Sequence, residues 1–332
     1  MVGFVIAAAI LVRGGVALAT AGDQLAERTG WGRLFVGTLF LAFATSLPEV
    51  VTDMTAAAAG APDLAVGDLF GSSMANMAIL AIIDLRHRGR VWPSVELGHA
   101  RVAAVGIVLT ALAALGVHTP SAARIGWVGI TPIMIMAVYV ASLVWLRRSP
   151  VLPRVGIVEV VPDLPQGGES DRKDVPTMRA IATRFGLAAG IIFVSAPVVA
   201  LTTRDMASAT GIDQTFLGAT LLAITTSLPE LVVSLAAVRI GAYDLAVGNL
   251  FGSNATNMSV LLFADLAYTD GSILAAVKST QVVAALGAIV LMGLAVAAIV
   301  GGTETRIRRL EPDAILVLIA YLGALAAVAV TG

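Results

Sequence analysis

The sequence contains no cysteine, which excludes disulfides, thiolate chemistry and cysteine-ligated metal. Charged residues are also scarce, at 13% against about a quarter in an average soluble domain. The basic residues do not cluster as a nucleic-acid footprint would, so no nucleic-acid partner is expected. What remains is a chain of 332 residues that is 58% hydrophobic. This composition predicts an all-α integral membrane protein that needs no cofactor.

Ten apolar segments are each long enough to cross the hydrocarbon core as a helix, which takes about 20 residues. The first imitates a signal peptide, but it lacks a basic start and Arg13 interrupts it, so we expect it to remain as the first helix. The segments lie at about 2–20, 33–58, 63–84, 100–118, 124–146, 180–202, 214–239, 243–266, 279–301 and 312–331.

Lys and Arg predict the orientation, because short cytoplasmic loops are enriched in them. With the N-terminus outside, 17 of the 21 Lys and Arg fall on the inner side. A Pro-, Gly- and charge-rich linker, 147–178, separates five segments in 1–146 from five in 179–332, so equivalent segments cross in opposite directions. Inverted repeats are typical of secondary transporters. We therefore expect a transporter with both termini outside and a cytoplasmic linker, monomeric in the lipid, with an oligomer left open. The excess of Arg over Lys and the abundant Ala favour the plasma (inner) membrane of a prokaryote.

The two halves share an internal repeat at an offset of 181 residues. Between 37–85 and 218–266, 26 of 49 aligned positions are identical. Each copy carries a Thr-Ser-Leu-Pro-Glu run inside an apolar segment, ending at Glu49 or Glu230. Proline removes an N–H and frees a helical carbonyl, and a carboxylate in mid-membrane is costly unless it is functional. No Lys or Arg lies mid-span near either run, so both glutamates are predicted cation ligands.

The next segment of each half adds a second motif, Gly-Asp-Leu-Phe-Gly-Ser-Ser-Met-Ala-Asn from Gly67 and Gly-Asn-Leu-Phe-Gly-Ser-Asn-Ala-Thr-Asn from Gly248. The glycine spacing of four predicts close helix approach. A serine and an asparagine four residues apart share one helical face in both copies. All these side chains offer oxygen, as hard cations such as Ca²⁺ require. The three histidines are expected in loops, which argues against a transition-metal site.

Some acidic and polar positions stay open. In the alignment of the two copies, Asp68 corresponds to Asn249 and Asp53 corresponds to Ser234. Each could be an ion or proton site, or a carboxylate in a water-filled vestibule. Other polar positions have a structural alternative. Ser73 and Asn254 could join helices by hydrogen bonds, whereas Asp63, Asp244, Asp84 and Asp265 lie near segment ends, where capping or interfacial solvation is expected.

At these residues the sequence resembles the cation/Ca²⁺ exchanger superfamily, most closely the prokaryotic sodium/calcium exchangers. The resemblance covers the whole chain and implies ten helices in two inverted halves. It departs from the family pattern at Ala44, Thr225, Asp68 and Asn257. Position by position, it implies ion ligands at Ala42 and Ala223 (carbonyls), Thr45, Ser46, Glu49, Ser72, Asn76, Thr226, Ser227, Glu230, Ser253 and Asn257, to which Asp68 is added as a candidate.

The resemblance implies a secondary antiporter that exchanges Ca²⁺ for Na⁺, rather than an enzyme. A Ca²⁺/H⁺ antiporter is the alternative, with K⁺-assisted or Mg²⁺ transport less favoured. The proton-coupled branch carries a glutamate where Gly71 and Gly252 stand here, which favours sodium, whereas Asp68 keeps protons in question. A channel using the same oxygens is a rival, but broken helices in inverted repeats favour a carrier.

Overall fold

The computed structural model describes residues 2–29, 42–87, 91–148, 176–239, 241–301 and 312–331. Nearly all of the described chain is helical. In the first half, a two-stranded antiparallel hairpin interrupts the helices. The elements are α1 Val2–Thr29, α2 Ala42–Thr45, α3 Leu47–Ala58, α4 Pro62–Arg86, α5 Val91–Ser94, α6 Gly98–His118, β1 Arg124–Ile125, β2 Val128–Gly129 and α7 Ile130–Arg148.

The regular elements described in the second half are all helices, and they include one π-helical turn. Its first helix is 33 residues long and begins at the N-cap Thr177, whose hydroxyl accepts from the backbone N–H of Ala180. The elements are α8 Met178–Thr210, α9 Gln214–Leu217, the π turn Gly218–Leu222, α10 Ala223–Thr226, α11 Leu228–Arg239, α12 Tyr243–Ala267, α13 Ile273–Ala276, α14 Gln281–Gly301 and α15 Pro312–Thr331.

The helix boundaries of the two halves match. Adding 181 to the bounds of α2, α3 and α4 gives the bounds of α10, α11 and α12 without a residue of difference. Gly60 and Gly241, which occupy the turns before α4 and α12, have φ values of 74° and 77°. A residue with a Cβ rarely adopts this left-handed conformation, so glycine lets both helices turn at the same place.

Six described helices are long and apolar enough to cross a membrane: α4, α6, α7, α8, α14 and α15. The helices from Gln214 to Thr226 and from Leu228 to Arg239 form a further span if they are taken as one bent unit. Within α1 the apolar stretch Gly3–Leu18 is shorter than the six spans. Part of the predicted segment 33–58 lies outside the described residues. The structure is therefore a membrane-type helical fold, and the number of ten spans stays a prediction.

Helix α4 lies at the centre of the protein and is buried along almost its whole length. Its glycines face the start of the broken helix in the other half. A Cβ added at Gly71 would lie 2.4 Å from the Cα of Ala219, and one at Gly67 would lie 2.8 Å from the carbonyl oxygen of Thr215. The prediction that these glycines allow close helix approach is confirmed for the first copy.

The prediction that all three histidines lie in loops is wrong for His99 and His118, which both belong to α6. His99 is the second residue of α6 and is fully buried, and its Nε2 lies 3.0 Å from Oδ1 of Asp244. The acidic partner from the other half explains why a buried imidazole is tolerated there. His118 is the last residue of α6, and His87 follows α4.

Candidate functional site

Two broken helices, one in each half, contribute residues to the candidate site. The α-helical conformation is interrupted at Ser46 (φ −82°, ψ 2°) and at Ser227 (φ −84°, ψ 2°), each followed by a leucine and a proline. Because proline has no N–H, the helix cannot close its normal ladder across this point. In the second half the two parts are bent by 43°. The predicted break is therefore present at the same position in both halves.

The carbonyls of Ala42 and Ala223 lie one turn before the breaks. The Ala42 oxygen accepts from the Ser46 N–H at 2.9 Å and lies 3.2 Å from the Thr45 hydroxyl. The Ala223 oxygen has the same two neighbours, the Ser227 N–H at 3.0 Å and the Thr226 hydroxyl at 3.3 Å. Both carbonyls thus already have donors, which makes them less direct candidates for a cation than the side chains described next.

Thr45 reaches from the first half into α12. Its hydroxyl lies 3.2 Å from Oδ1 of Asn249 and 3.3 Å from Oγ of Ser253. All three side chains are buried. The contact joins the broken helix of one half to the second motif of the other.

Thr226 makes the mirror contact from the second half. Its hydroxyl lies 3.2 Å from Oδ1 of Asp68 and 3.3 Å from Oγ of Ser72, both on α4. The two threonines therefore interlock the halves around one centre. The sequence placed these residues in two separate motifs, and the structure brings both motifs into one polar cluster.

Glu49 and Glu230 are fully buried inside this cluster. Among the described residues, neither carboxylate oxygen of Glu49 has a hydrogen-bond partner. Ser253 donates to Oε1 of Glu230 at 3.4 Å, and Oε2 of Glu230 has no partner in the described chain. The ion pairs found between described residues include neither glutamate. These carboxylates are thus available to a cation.

The asparagines and the serines at the breaks complete the cluster. Nδ2 of Asn76 donates to Oδ1 of Asn254 at 2.9 Å, whereas Oδ1 of Asn76 has no donor among the described residues. The hydroxyls of Ser46 and Ser227 and both amide atoms of Asn257 likewise have no described partner. Buried polar atoms without partners are rare in proteins. Here they coincide with the residues predicted to bind cations.

Hydrogen bonds account for both Ser73 and Asn254, but only the side chain of Asn254 joins two helices. Nδ2 of Asn254 donates to the backbone carbonyl of Ser73 at 3.3 Å, and the Ser73 hydroxyl donates to the carbonyl of Leu69 within its own helix. Asn254 therefore links α12 to α4, as its alternative interpretation proposed.

The ligand chemistry of the cluster is that of hard cations. Within the described residues, no group of three or more His, Cys, Asp or Glu side chains is arranged to hold a metal ion. A cation held between the two glutamates would therefore need hydroxyl, amide and carbonyl oxygens as well. Ca²⁺ takes 6–8 oxygens of these kinds in a flexible shell. The cluster can supply such a shell, and it offers no soft ligand.

Asp53 and Asp68 extend the cluster on one side. Both are fully buried, and their carboxyl groups are neighbours. Their burial contradicts the interpretation of either aspartate as a carboxylate in a water-filled vestibule. Oδ1 and Oδ2 of Asp53 and Oδ2 of Asp68 have no donor among the described residues.

The four matched aspartates at helix ends bind backbone of neighbouring loops. Asp84 accepts from the N–H of Val91 at 3.0 Å, and Asp265 accepts from the N–H of Gly129 at 2.6 Å. They bind the chain outside their own helices, so the expected place near the helix ends is confirmed and the role is more specific.

Asp63 and Asp244 make contacts between the halves. Asp63 accepts from the N–H of Lys278 at 2.8 Å, and Asp244 accepts from the N–H of Glu96 at 2.9 Å and contacts His99. Sequence reasoning missed these partners. Their signal would have been the matched spacing of Asp63 and Asp244, which pointed to a shared role without indicating its contacts.

A cavity of about 600 Å³ lies apart from the glutamates. Its lining includes Gly60, Asp63, Asp213, Tyr268 and Lys278. Burial alone would raise the pKa of Asp213, but hydrogen bonds from Lys278 and backbone N–H groups outweigh burial and lower it. The same hydrogen bond raises the pKa of Lys278. This pair is therefore ionised at neutral pH.

Comparison with known proteins identifies similar chains over almost the whole length. The family model described as "Sodium/calcium exchanger protein" matches residues 1–147 and 181–330. The putative antiporter CaxA of Alkalimonas amylolytica is 28% identical over 309 residues, which cover 91% of this chain and 89% of CaxA. The inner membrane protein YrbG of Escherichia coli is 28% identical over 258 residues, covering 77% of this chain and 76% of YrbG.

The fold is also similar to a solved structure. The sodium-calcium exchanger NCX_Mj, soaked with Na⁺ and Ca²⁺, superposes with a TM-score of 0.63 at 21% sequence identity. The superposition covers 98% of this chain and 97% of that structure. At this identity the likeness establishes the fold.

Proposed function

The chain belongs to the sodium/calcium exchanger protein family, and we propose that it is a secondary antiporter that exchanges Ca²⁺ for Na⁺ by alternating access. The observation that carries the proposal is the pair Glu49 and Glu230. Both are fully buried in matching positions of two broken helices, and both oxygens of Glu49 and Oε2 of Glu230 have no hydrogen-bond partner among the described residues. A transporter must bind its ion away from water with groups that nothing else occupies.

The proposed ion ligands are those that the resemblance implies. The side-chain clustering supports the carboxylates, hydroxyls and amides more strongly than the two carbonyls, which already accept hydrogen bonds. The set comprises Ala42, Thr45, Ser46, Glu49, Asp68, Ser72, Asn76, Ala223, Thr226, Ser227, Glu230, Ser253 and Asn257.

Charge decides what the exchange does to the membrane potential. Two ionised glutamates carry −2, which one Ca²⁺ neutralises. Three Na⁺ in its place leave +1, so exchange would be electrogenic, whereas two protons would leave the site neutral. The ion loads compete for overlapping positions between the halves, so Ca²⁺ leaves when Na⁺ enters.

The proposed architecture is ten spans in two inverted halves, 1–146 and 179–332, joined by a cytoplasmic linker at 147–178. The matching bounds of α2–α4 and α10–α12 support two repeats. Contacts between loops support the sidedness, because they join segments predicted for the same side: Asp63 with Lys278 on the outer side and Asp244 with Glu96 on the inner. Most of the linker lies outside the described residues.

Alternating access requires elements that move relative to the site. Helices α1 and α8 carry no acidic motif, and they pack on each other: a Cβ at Gly14 would lie 2.9 Å from the side chain of Ile191. A Cβ at Gly15 would meet the rings of both motif prolines. The pair therefore lies directly over the broken helices, where sliding would open the site to one side or the other.

Ca²⁺/H⁺ exchange is the second candidate function. The observation in its favour is the pair Asp53 and Asp68, which adds two buried carboxyls to the cluster. These could carry protons where a sodium-coupled exchanger would carry none.

The test is ⁴⁵Ca²⁺ uptake into proteoliposomes at clamped voltage, comparing an outward Na⁺ gradient with an outward H⁺ gradient. Uptake driven by Na⁺ alone is expected. Uptake driven by H⁺ alone would assign the chain to proton coupling, and conductance without a counter-ion would indicate a channel.

The same assay tests the glutamates. Glu49→Gln and Glu230→Gln keep the shape of each side chain and remove its charge, so each should abolish uptake. A matched control is Glu96→Gln in the loop before α6, which should keep it. Full uptake by either site variant would refute the proposed site.

A further inference from the structure

One pair of core positions has different chemistry in the two halves. In the second half, Nδ2 of Asn249 donates to the hydroxyl of Ser234 at 3.2 Å. The first half carries Asp68 and Asp53 at the corresponding positions, and their carboxyl groups are neighbours. All four side chains are fully buried. The same arrangement thus holds a hydrogen-bonded amide and hydroxyl in one half and two carboxyls in the other.

The two pairs differ in whether they satisfy their own hydrogen bonds and charge. An amide and a hydroxyl satisfy each other, whereas two carboxylates present acceptors alone. Thr226 donates to Oδ1 of Asp68, but Oδ2 of Asp68 and both oxygens of Asp53 have no donor among the described residues. None of the ion pairs between described residues includes either aspartate. Buried charge without a counter-charge is strongly unfavourable.

We propose that Asp53 and Asp68 form a second cation-binding position, one that takes a divalent ion. The pair supplies four carboxylate oxygens and a charge of −2, which a single divalent ion neutralises. Ca²⁺ accepts carboxylates in one- or two-oxygen contacts and tolerates irregular shells. The proposal rests on the proposed function and assigns Asp68 to this second position rather than to the central ion, whose site Asp68 borders through Thr226.

The position at the aspartates lies close to the position between the glutamates, and the charges of the two affect each other. The hydroxyl of Thr226 lies 3.2 Å from Asp68 and 3.3 Å from Ser72, a proposed ligand of the central ion. An ion at the aspartates therefore compensates a negative charge that would otherwise repel Glu49. The second half, with its neutral pair, has no equivalent position, so the ion load of the cluster is asymmetric.

The test is equilibrium binding of ⁴⁵Ca²⁺ to the purified full-length chain in Na⁺-free detergent. The variant Asp53→Ser/Asp68→Asn copies the pair that the second half already accommodates, so it should fold. Two Ca²⁺ per chain are expected for the unchanged protein and one for this variant. Glu49→Gln/Glu230→Gln should also retain one, at the aspartates. Size-exclusion profiles establish that each variant is folded.

The outcomes separate this proposal from the proposed function. One Ca²⁺ per chain in both the unchanged protein and the aspartate variant overturns the second position, including the case in which the two carboxyls share a proton. No Ca²⁺ in the unchanged protein overturns the proposed function itself. If the aspartate variant does not fold, the glutamate variant decides: one retained ion supports the second position, and none overturns it.

Discussion

Thr45 and Thr226 show how single residues hold the two halves together. Each hydroxyl lies at the break of its own helix and contacts two side chains of the opposite half. Valine has the same shape without the hydroxyl, so a Thr-to-Val change removes these contacts and leaves buried polar atoms unsatisfied. Such a loss costs about 1–3 kcal/mol, and 1.4 kcal/mol corresponds to about tenfold in affinity.

We therefore expect Thr45→Val and Thr226→Val to weaken Ca²⁺ binding by about tenfold or more. Thr226→Val should have the larger effect, because its partner is the carboxyl of Asp68, and hydrogen bonds to charged groups are stronger. The measurement is the ⁴⁵Ca²⁺ dissociation constant. Thr110→Val is the control, since that buried hydroxyl bonds to the carbonyl of Gly106 in its own helix. Equal affinities in all three variants would contradict the interlocked site.

For single residues, the sequence was a better guide to which side chains belong to the polar cluster than to the contacts that those side chains make. The duplicated motifs pointed to Glu49 and Glu230, because a carboxylate inside an apolar segment is costly unless it has a function. This signal lies in the local sequence and needs no knowledge of the fold. The contact of Thr226 with Asp68 spans 158 positions and depends on how the halves meet. Burial of Asp53 and of His99 depends on the same packing, so neither could be read from spacing.

Among the elements, α1 depends most closely on both broken helices. A Cβ at Gly15 would lie 2.3 Å from Cγ of Pro229 and 3.6 Å from Cγ of Pro48. The first distance is far below van der Waals contact, so any side chain must push α1 away from the motif prolines. Overpacking of this kind costs about 1–3 kcal/mol.

Gly15→Ala should therefore lower both the thermal unfolding midpoint and the rate of ⁴⁵Ca²⁺ uptake. Gly190→Ala in α8 is the matched control, because a Cβ there meets nothing within 4 Å. Alanine also favours the helix relative to glycine, so the control should be as stable as the unchanged protein or slightly more stable. If Gly15→Ala behaves like the control, α1 does not pack on the prolines.

An ion pair with a defined pH range joins Asp213, just before α9, to Lys278, in the segment before α14. Asp213 has a lowered pKa, so its contribution to stability is present above its unfolded pKa and is lost as the pH falls through the folded value. Lys278 has a raised pKa, so its contribution is present below its unfolded pKa and is lost as the pH rises through the folded value. Between about pH 4 and pH 10 the contribution of the pair to stability is therefore constant.

Asp213→Asn should thus lower the unfolding midpoint by the same amount throughout the neutral range, and by progressively less as the pH falls below about 4. Thermal unfolding from pH 3 to pH 9 measures the difference. Asp270→Asn, an exposed acid in the neighbouring loop, is the control and should show little difference at any pH. A difference that changes between pH 6 and pH 8 would show that another group is involved.

For the whole molecule, composition and the length of the apolar segments predicted the helical membrane fold, because a chain that crosses the membrane in such segments has few alternatives to helices. The offset of 181 residues even predicted which helices have matching bounds. The interlocking of the halves, and the cavity between Asp63, Asp213 and Lys278, could not be predicted, since both depend on contacts between segments far apart in the chain. The prediction of sidedness rests on the distribution of Lys and Arg, which indicates how the chain is oriented in the membrane but not which residues are in contact.

Sidedness can be tested cleanly because the chain has no cysteine. Single-cysteine variants at Ser121 and Thr331, both exposed, are predicted to lie outside, whereas one at the exposed Met178 is predicted to lie inside. In right-side-out vesicles an impermeant maleimide should label Ser121→Cys and Thr331→Cys at once, and Met178→Cys after permeabilisation alone. A fully reversed pattern would invert the orientation and keep the layout. Labelling of Ser121→Cys and Met178→Cys from one side would contradict it, because α7, which lies between these two positions, would then not cross the membrane.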